Sequence, residues 1–94
     1  MNNTYQIYLI SDSTGETLDR IFLALKAQFK NIDYKISSYS FTRTENQINK
    51  ILDDAEKKDN SIILYTIVDN NLAKFLANAS DKKKIPCFGI LGNL

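Results

Sequence analysis

Ser61-Ile62-Ile63-Leu64-Tyr65-Thr66-Ile67-Val68 constrains this chain more than any other stretch. It is β-branched and aromatic, and apolar at odd and even positions alike, so a strand made from it needs cover on both faces. Such strands belong in the middle of parallel sheets. A parallel neighbour can be reached only through a crossover, usually a helix, and the rest of the sequence supplies the pieces. Tyr5-Gln6-Ile7-Tyr8-Leu9-Ile10 is a second buried strand, and Leu18, Ile21, Phe22, Leu25 and Phe29 then recur at the spacing of one helix face. Tyr34 to Phe41 is rich in serine and alternates weakly, which suits an edge strand. Thr44 and Gln47 form a capping-box pair ahead of a helix that buries Ile48, Ile51, Leu52 and Ala55. Asp69 can cap a third helix with Leu72, Phe75, Leu76 and Ala79 inward. Ile85 to Leu91 reads as a fourth strand, with Pro86 at its entrance, where no ladder N–H is required.

The order βαβαβαβ with right-handed crossovers predicts an α/β fold, a three-layer sandwich around a four-stranded parallel sheet of the flavodoxin or Rossmann kind. The first and third strands are the most apolar, so they take the centre and the expected order is 2-1-3-4. Leu64, in the middle of the third, is expected to be buried on both sides. Ninety-four residues suffice for one domain, spanning 1–94.

Twelve basic and eleven acidic residues leave a net charge of +1, which gives no electrostatic drive toward nucleic acid or an anionic membrane. No apolar run approaches the roughly 20 residues that cross a bilayer, and the N-terminus has no leader pattern. With Cys87 as the single cysteine, these features lead to the expectation of a cytoplasmic protein. The absence of histidine removes Ser-His-Asp and Cys-His nucleophilic sites and His-ligated zinc. Cys87 itself reads as an inert core residue. Neither a catalytic residue nor a metal ligand can be named.

In doubly wound sheets ligands bind beyond the carboxyl ends of the strands, where the strand order reverses. Order 2-1-3-4 puts that crevice between strands one and three. The loop there holds Asp12, Ser13, Thr14, Gly15 and Thr17, Asp69 ends strand three, and Arg43 lies on the neighbouring loop. Free amides of a helix N-terminus could hold an anion at Ser13 to Gly15. With one glycine and no lysine, however, the loop matches neither G-x-x-x-x-G-K-[ST] nor G-x-G-x-x-G. The plainer alternative is that Ser13 and Glu16 form a capping box, start the helix near Thr14, and leave Gly15 to relieve a turn. Asp12 would repel a bare phosphate, and Asp69 is explained equally well as a helix cap.

Ile7-Tyr8-Leu9-Ile10-Ser11-Asp12-Ser13-Thr14-Gly15-Glu16-Thr17, Tyr65-Thr66-Ile67-Val68-Asp69 and Ile85-Pro86-Cys87-Phe88-Gly89-Ile90-Leu91-Gly92 together resemble successive blocks at the start of one family. It is that of the regulatory proteins of pyruvate, phosphate dikinase and phosphoenolpyruvate synthase. The resemblance implies an ADP-dependent serine/threonine kinase that inactivates its target by phosphorylating a catalytic threonine, and a phosphate-dependent pyrophosphorylase that reverses this. ADP or ATP and phosphate are thereby implied as ligands of the full-length protein, and one of the two enzymes as partner. The family's P-loop lies in its C-terminal half, and no such motif occurs here. The chain is therefore expected to be an N-terminal domain, separately produced or truncated, and non-catalytic alone. Two other readings stay open: a flavodoxin-like domain, since Asp12 to Thr17 approaches [ST]-x-T-G-x-T and could hold the phosphate of FMN, and a purely structural or interaction domain. Self-association is left open too.

Overall fold

A computed structural model describes residues 4–28 and 30–90. The elements are β1 (Tyr5–Ser11), α1 (Glu16–Lys26), β2 (Tyr34–Tyr39), α2 (Glu45–Glu56), β3 (Ser61–Thr66), α3 (Asn70–Lys82) and β4 (Cys87–Gly89). All strands are parallel and the sheet runs β2-β1-β3-β4, as expected. Residues in register share a face: Ile7 lies between Ile36 and Ile62, and Leu9 between Ser38 and Leu64, which in turn pairs with Phe88.

The two faces differ. Tyr8, Ile10 and Ile63 point toward α2 and α3 and join Ile48, Ile51, Leu52, Ala55, Leu72 and Leu76 in the larger core. On the other face, Ile7 and Leu9 meet only Leu18 and Phe22 of α1, with Tyr34, Leu64 and Ile90 half-buried at the margin. Tyr8 is part of the larger core yet keeps its hydroxyl satisfied, donating to Asp54 Oδ2 at 2.7 Å. Its ring stacks on Tyr39 at 6.2 Å.

Leu64 departs from expectation. It is half-buried, whereas Ile63 beside it is fully enclosed. Successive strand residues face opposite ways, and Leu64 takes the face that α1 covers incompletely. Phe29, assigned to the buried face of α1, and Leu91 and Gly92, assigned to the fourth strand and its end, lie outside the described residues. Ile21 is half-buried but Leu25 is exposed, so the α1 stripe is narrower than its spacing suggests. Cys87 is half-buried on the short edge strand rather than enclosed, and burial still pushes its thiol pKa up, away from the reactive thiolate.

β2 stops at Tyr39, short of Phe41, for a reason seen in its hydrogen bonds. Phe41 adopts a left-handed conformation, φ 54°, and its N–H donates to Ser13 O at 2.9 Å while Thr42 N–H donates to Ser11 O at 2.8 Å. The chain leaves the sheet by pairing with the loop after β1. The capping box on α2 forms as expected: Gln47 N–H donates to Thr44 Oγ1 at 3.1 Å, and Gln47 Oε1 accepts from Thr44 N–H at 3.0 Å.

Candidate functional site at the carboxyl end of the sheet

The loops after β1, β2 and β3 meet at the strand-order reversal. Ser11 ends β1, and its Oγ accepts from Ser13 N–H at 3.1 Å, turning the chain sharply out of the strand. The turn continues through Gly15, the N-cap of α1, at φ 87°. That left-handed conformation suits glycine. The Ser13–Glu16 capping box does not form: no side chain caps α1, and the helix starts at Glu16 rather than near Thr14. A capping serine needs extended backbone at the cap position itself, and here the cap is a left-handed glycine two residues later. Thr14 Oγ1 makes only a long contact with Glu16 N–H, 3.4 Å.

Asp12 ties three loops together. Its Oδ2 accepts from Val68 N–H at 2.8 Å, its carbonyl accepts from Arg43 Nε at 3.0 Å, and its own N–H donates to Thr66 O at 3.3 Å. The carboxylate thus lies across the mouth between β1 and β3. Asp69 caps α3, its Oδ1 accepting from Leu72 N–H at 3.0 Å. Ser13, Thr14 and Thr17 are exposed.

Arg43 and its neighbours were harder to anticipate. The guanidinium stacks on Phe41, 5.2 Å from the ring centroid, and Arg43 N–H donates to Gln47 Oε1 at 2.7 Å. Gln47 Nε2 in turn donates to Phe41 O at 3.3 Å. A bulky aromatic residue in the left-handed region is uncommon, and such positions concentrate at functional loops. Phe41 remains 52% exposed there, and Val68, across the crevice mouth, 71%. No spacing rule points to Phe41 or Val68, because each looks like the last apolar residue of its strand.

The site therefore brings together Asp12, Ser13, Thr14, Gly15 and Asp69, with Arg43, Phe41 and Val68 around them. Thr17, in the first turn of α1, belongs to the helix surface. A nucleotide or flavin phosphate does not fit these residues well: the loop has no lysine, and an anion brought to the crevice meets the Asp12 carboxylate. Among the described residues no group of three or more His, Cys, Asp or Glu side chains is placed to hold a metal ion, and no helix is long and apolar enough to cross a membrane.

Comparison with known proteins decides the family, since the model of the kinase/pyrophosphorylase family matches residues 7–94. The chain belongs to that family. A relative from Pelagibacter ubique (strain HTCC1062), named "Putative pyruvate, phosphate dikinase regulatory protein", is 77% identical over all 94 residues, which make up 34% of that relative. A relative of the same name from Geotalea uraniireducens (strain Rf4) is 41% identical over 86 residues, 92% of this chain and 32% of the relative. The chain thus spans about a third of the length of the curated relatives it matches. Those names describe the relatives as regulatory proteins of pyruvate, phosphate dikinase.

Proposed function

We propose that this chain is the N-terminal domain of a regulatory protein that phosphorylates a threonine of pyruvate, phosphate dikinase or phosphoenolpyruvate synthase with ADP, and removes the phosphoryl group with phosphate. The observation that supports this reading is the 77% identity over all 94 residues to a relative named as a pyruvate, phosphate dikinase regulatory protein.

Within such a protein, the crevice of Asp12, Ser13, Thr14, Arg43 and Asp69 is a binding and positioning surface, and phosphoryl chemistry belongs to the remaining two-thirds. Phosphoryl transfer needs amides and a lysine around the phosphates and a metal held by a hydroxyl or carboxylate. The loop after β1 has no lysine, and both carboxylates are engaged by backbone N–H groups. What it offers a partner is exposed hydroxyls, the outer edge of Arg43, and the apolar rim of Phe41 and Val68, a combination suited to a protein segment.

The test is to incubate the 94-residue chain with ADP and the target dikinase and follow threonine phosphorylation, with the Pelagibacter relative in parallel. The relative is expected to phosphorylate the dikinase and the short chain to give no more signal than buffer. Turnover by the short chain would refute its non-catalytic role, and an inactive relative would refute the family-level assignment of activity.

A further inference from the structure

The α1 face of the sheet is left open along both edge strands, β2 and β4. A strand occupies about 4.8 Å of sheet width and a helix with its side chains about 10 Å, so one helix covers two strands of four. α1 packs on β1 and β3. The opposite face has two helices and eleven buried apolar residues, against four on the α1 face among the described residues.

The two margins left by α1 differ in chemistry. β2 presents a single exposed apolar residue, Ile36, 43% exposed, between the half-buried Tyr34 and the exposed Ser38, a mixed apolar and polar edge. Toward β4, Ile62, Leu64 and Phe88 form a continuous apolar strip. Leu64 pairs with Phe88 in register, Ile62 precedes Leu64 on the same face, and Phe88 is 54% exposed. Parallel strands are normally covered on both faces, so this strip needs a partner that the described residues do not provide.

We propose that the strip formed by Ile62, Leu64 and Phe88 is an internal docking face of the longer proteins, covered by a helix with one apolar face drawn from the two-thirds of the relatives' length that this chain does not span. The occupant is part of the same polypeptide because that length is available in cis in relatives matching this domain end to end, and an attached segment seats without the entropy loss of a separate partner. The inference rests on family membership and is independent of the phosphoryl-transfer reading.

Hydroxyl-radical footprinting read by mass spectrometry tests it without altering the face. Oxidation of Leu64 and Phe88 is measured in the 94-residue chain, and in a graft where these 94 residues replace the aligned stretch of the Pelagibacter relative. Phe88 should oxidise about fivefold more slowly in the graft, as a half-exposed ring becomes a core contact, while Ile36 keeps its rate. An equal Phe88 rate in the two proteins overturns the proposal, as does protection of Ile36 in its place. Protection of Phe88 that grows with concentration in the 94-residue chain also overturns it, because a second copy would then be the occupant. Should the graft not fold, the Pelagibacter relative is footprinted at the positions aligned with 36, 64 and 88. Strong oxidation at the position aligned with 88 there refutes the docking face, and slow oxidation alongside normal rates at 36 supports it.

Discussion

Asp12 offers the most direct test of how the crevice is held together, because one side chain makes the bond joining the loop after β1 to the loop after β3. Its Oδ2 accepts from Val68 N–H at 2.8 Å, a length typical of an amide donating to a charged acceptor. Hydrogen bonds to charged groups contribute about 1.5–3 kcal/mol and neutral ones about 0.5–1.5. The bond is solvent-exposed, so the lower ends apply. Asp12→Asn keeps an acceptor oxygen in place and removes the charge, and should cost about 1 kcal/mol, or about 4–8 °C in Tm for a domain this size. Asp12→Ala removes the acceptor altogether and should cost about 1.5–2 kcal/mol. Paired urea and thermal melts of the three proteins measure this. If Asp12→Ala melts like the parent, the bridge contributes nothing and Asp12 is not structural. In the Pelagibacter relative, the aligned Asn substitution should reduce dikinase phosphorylation by more than its loss of folded protein explains; activity that merely tracks the folded fraction would leave Asp12 a loop brace only.

Three further perturbations follow from particular contacts. Ile63→Ala should cost about 2–5 kcal/mol in urea melts and Leu64→Ala roughly 1–2, since Ile63 is fully enclosed and Leu64 borders solvent; equal losses would contradict the difference between the two faces. Gly15→Ala should cost roughly 1–2 kcal/mol through its φ of 87° alone, because a Cβ there meets Ser40 Oγ no closer than 3.5 Å. Ser13→Ala should change stability by less than about 0.5 kcal/mol, and the reverse ranking of these two would restore the Ser13–Glu16 capping box. Asp54 is held below its ordinary pKa of 3.8 by the Tyr8 hydroxyl first and by Lys58 next. A depressed carboxyl pKa stabilises above that ordinary value and loses its contribution as pH falls through the folded value. Asp54→Asn should therefore destabilise most near neutral pH and converge on the parent as pH falls below the ordinary carboxyl range, a gap that pH-dependent melts would find constant if the Tyr8–Asp54–Lys58 cluster were idle.

Strand and helix placement was legible because it rests on local periodicity. Ser61 to Val68 carries apolar residues on both faces, interrupted only by Ser61 and Thr66, and Thr44 with Gln47 stands directly before an apolar run at helical spacing. The strand order was legible for a related reason: serine-rich Tyr34–Phe41 and proline-entered β4 suit the edges. Leu64 was misplaced because apolarity shows that a side chain prefers burial and says nothing of whether the chain has enough helices to bury it. The Ser13–Glu16 pair was misread through a coincidence of spacing, since the register of α1 is set by where Gly15 turns. Phe41 was beyond reach altogether. Its left-handed backbone is fixed by Ser13 O and Gln47 Nε2, contacts between residues 28 and 6 positions apart that no local pattern encodes.

The chemistry of the crevice follows from how its charges are already committed. Asp12 and Asp69 both stand where a catalytic or ligand-binding carboxylate would stand, yet each accepts from a backbone N–H, and those bonds hold the loops after β1 and β3 in position. Arg43 is bound through Nε to the Asp12 carbonyl, which leaves the outer edge of its guanidinium available, and its guanidinium carbon lies 5.2 Å from the centroid of the Phe41 ring. An arginine oriented in this way presents its remaining donors in a fixed fork, suited to a planar or tetrahedral anion carried on a partner. Because Asp12 is hydrogen-bonded to both Val68 and Arg43, a partner engaging Arg43 acts directly on the brace between the first and third strands. Arg43→Lys is therefore the more informative replacement at this position. It keeps the charge and loses both the Nε bond and the fork, so in the Pelagibacter relative the aligned change should weaken dikinase binding, measured by titration, by about tenfold, the equivalent of about 1.4 kcal/mol. An unchanged affinity would show that only the charge of Arg43 matters.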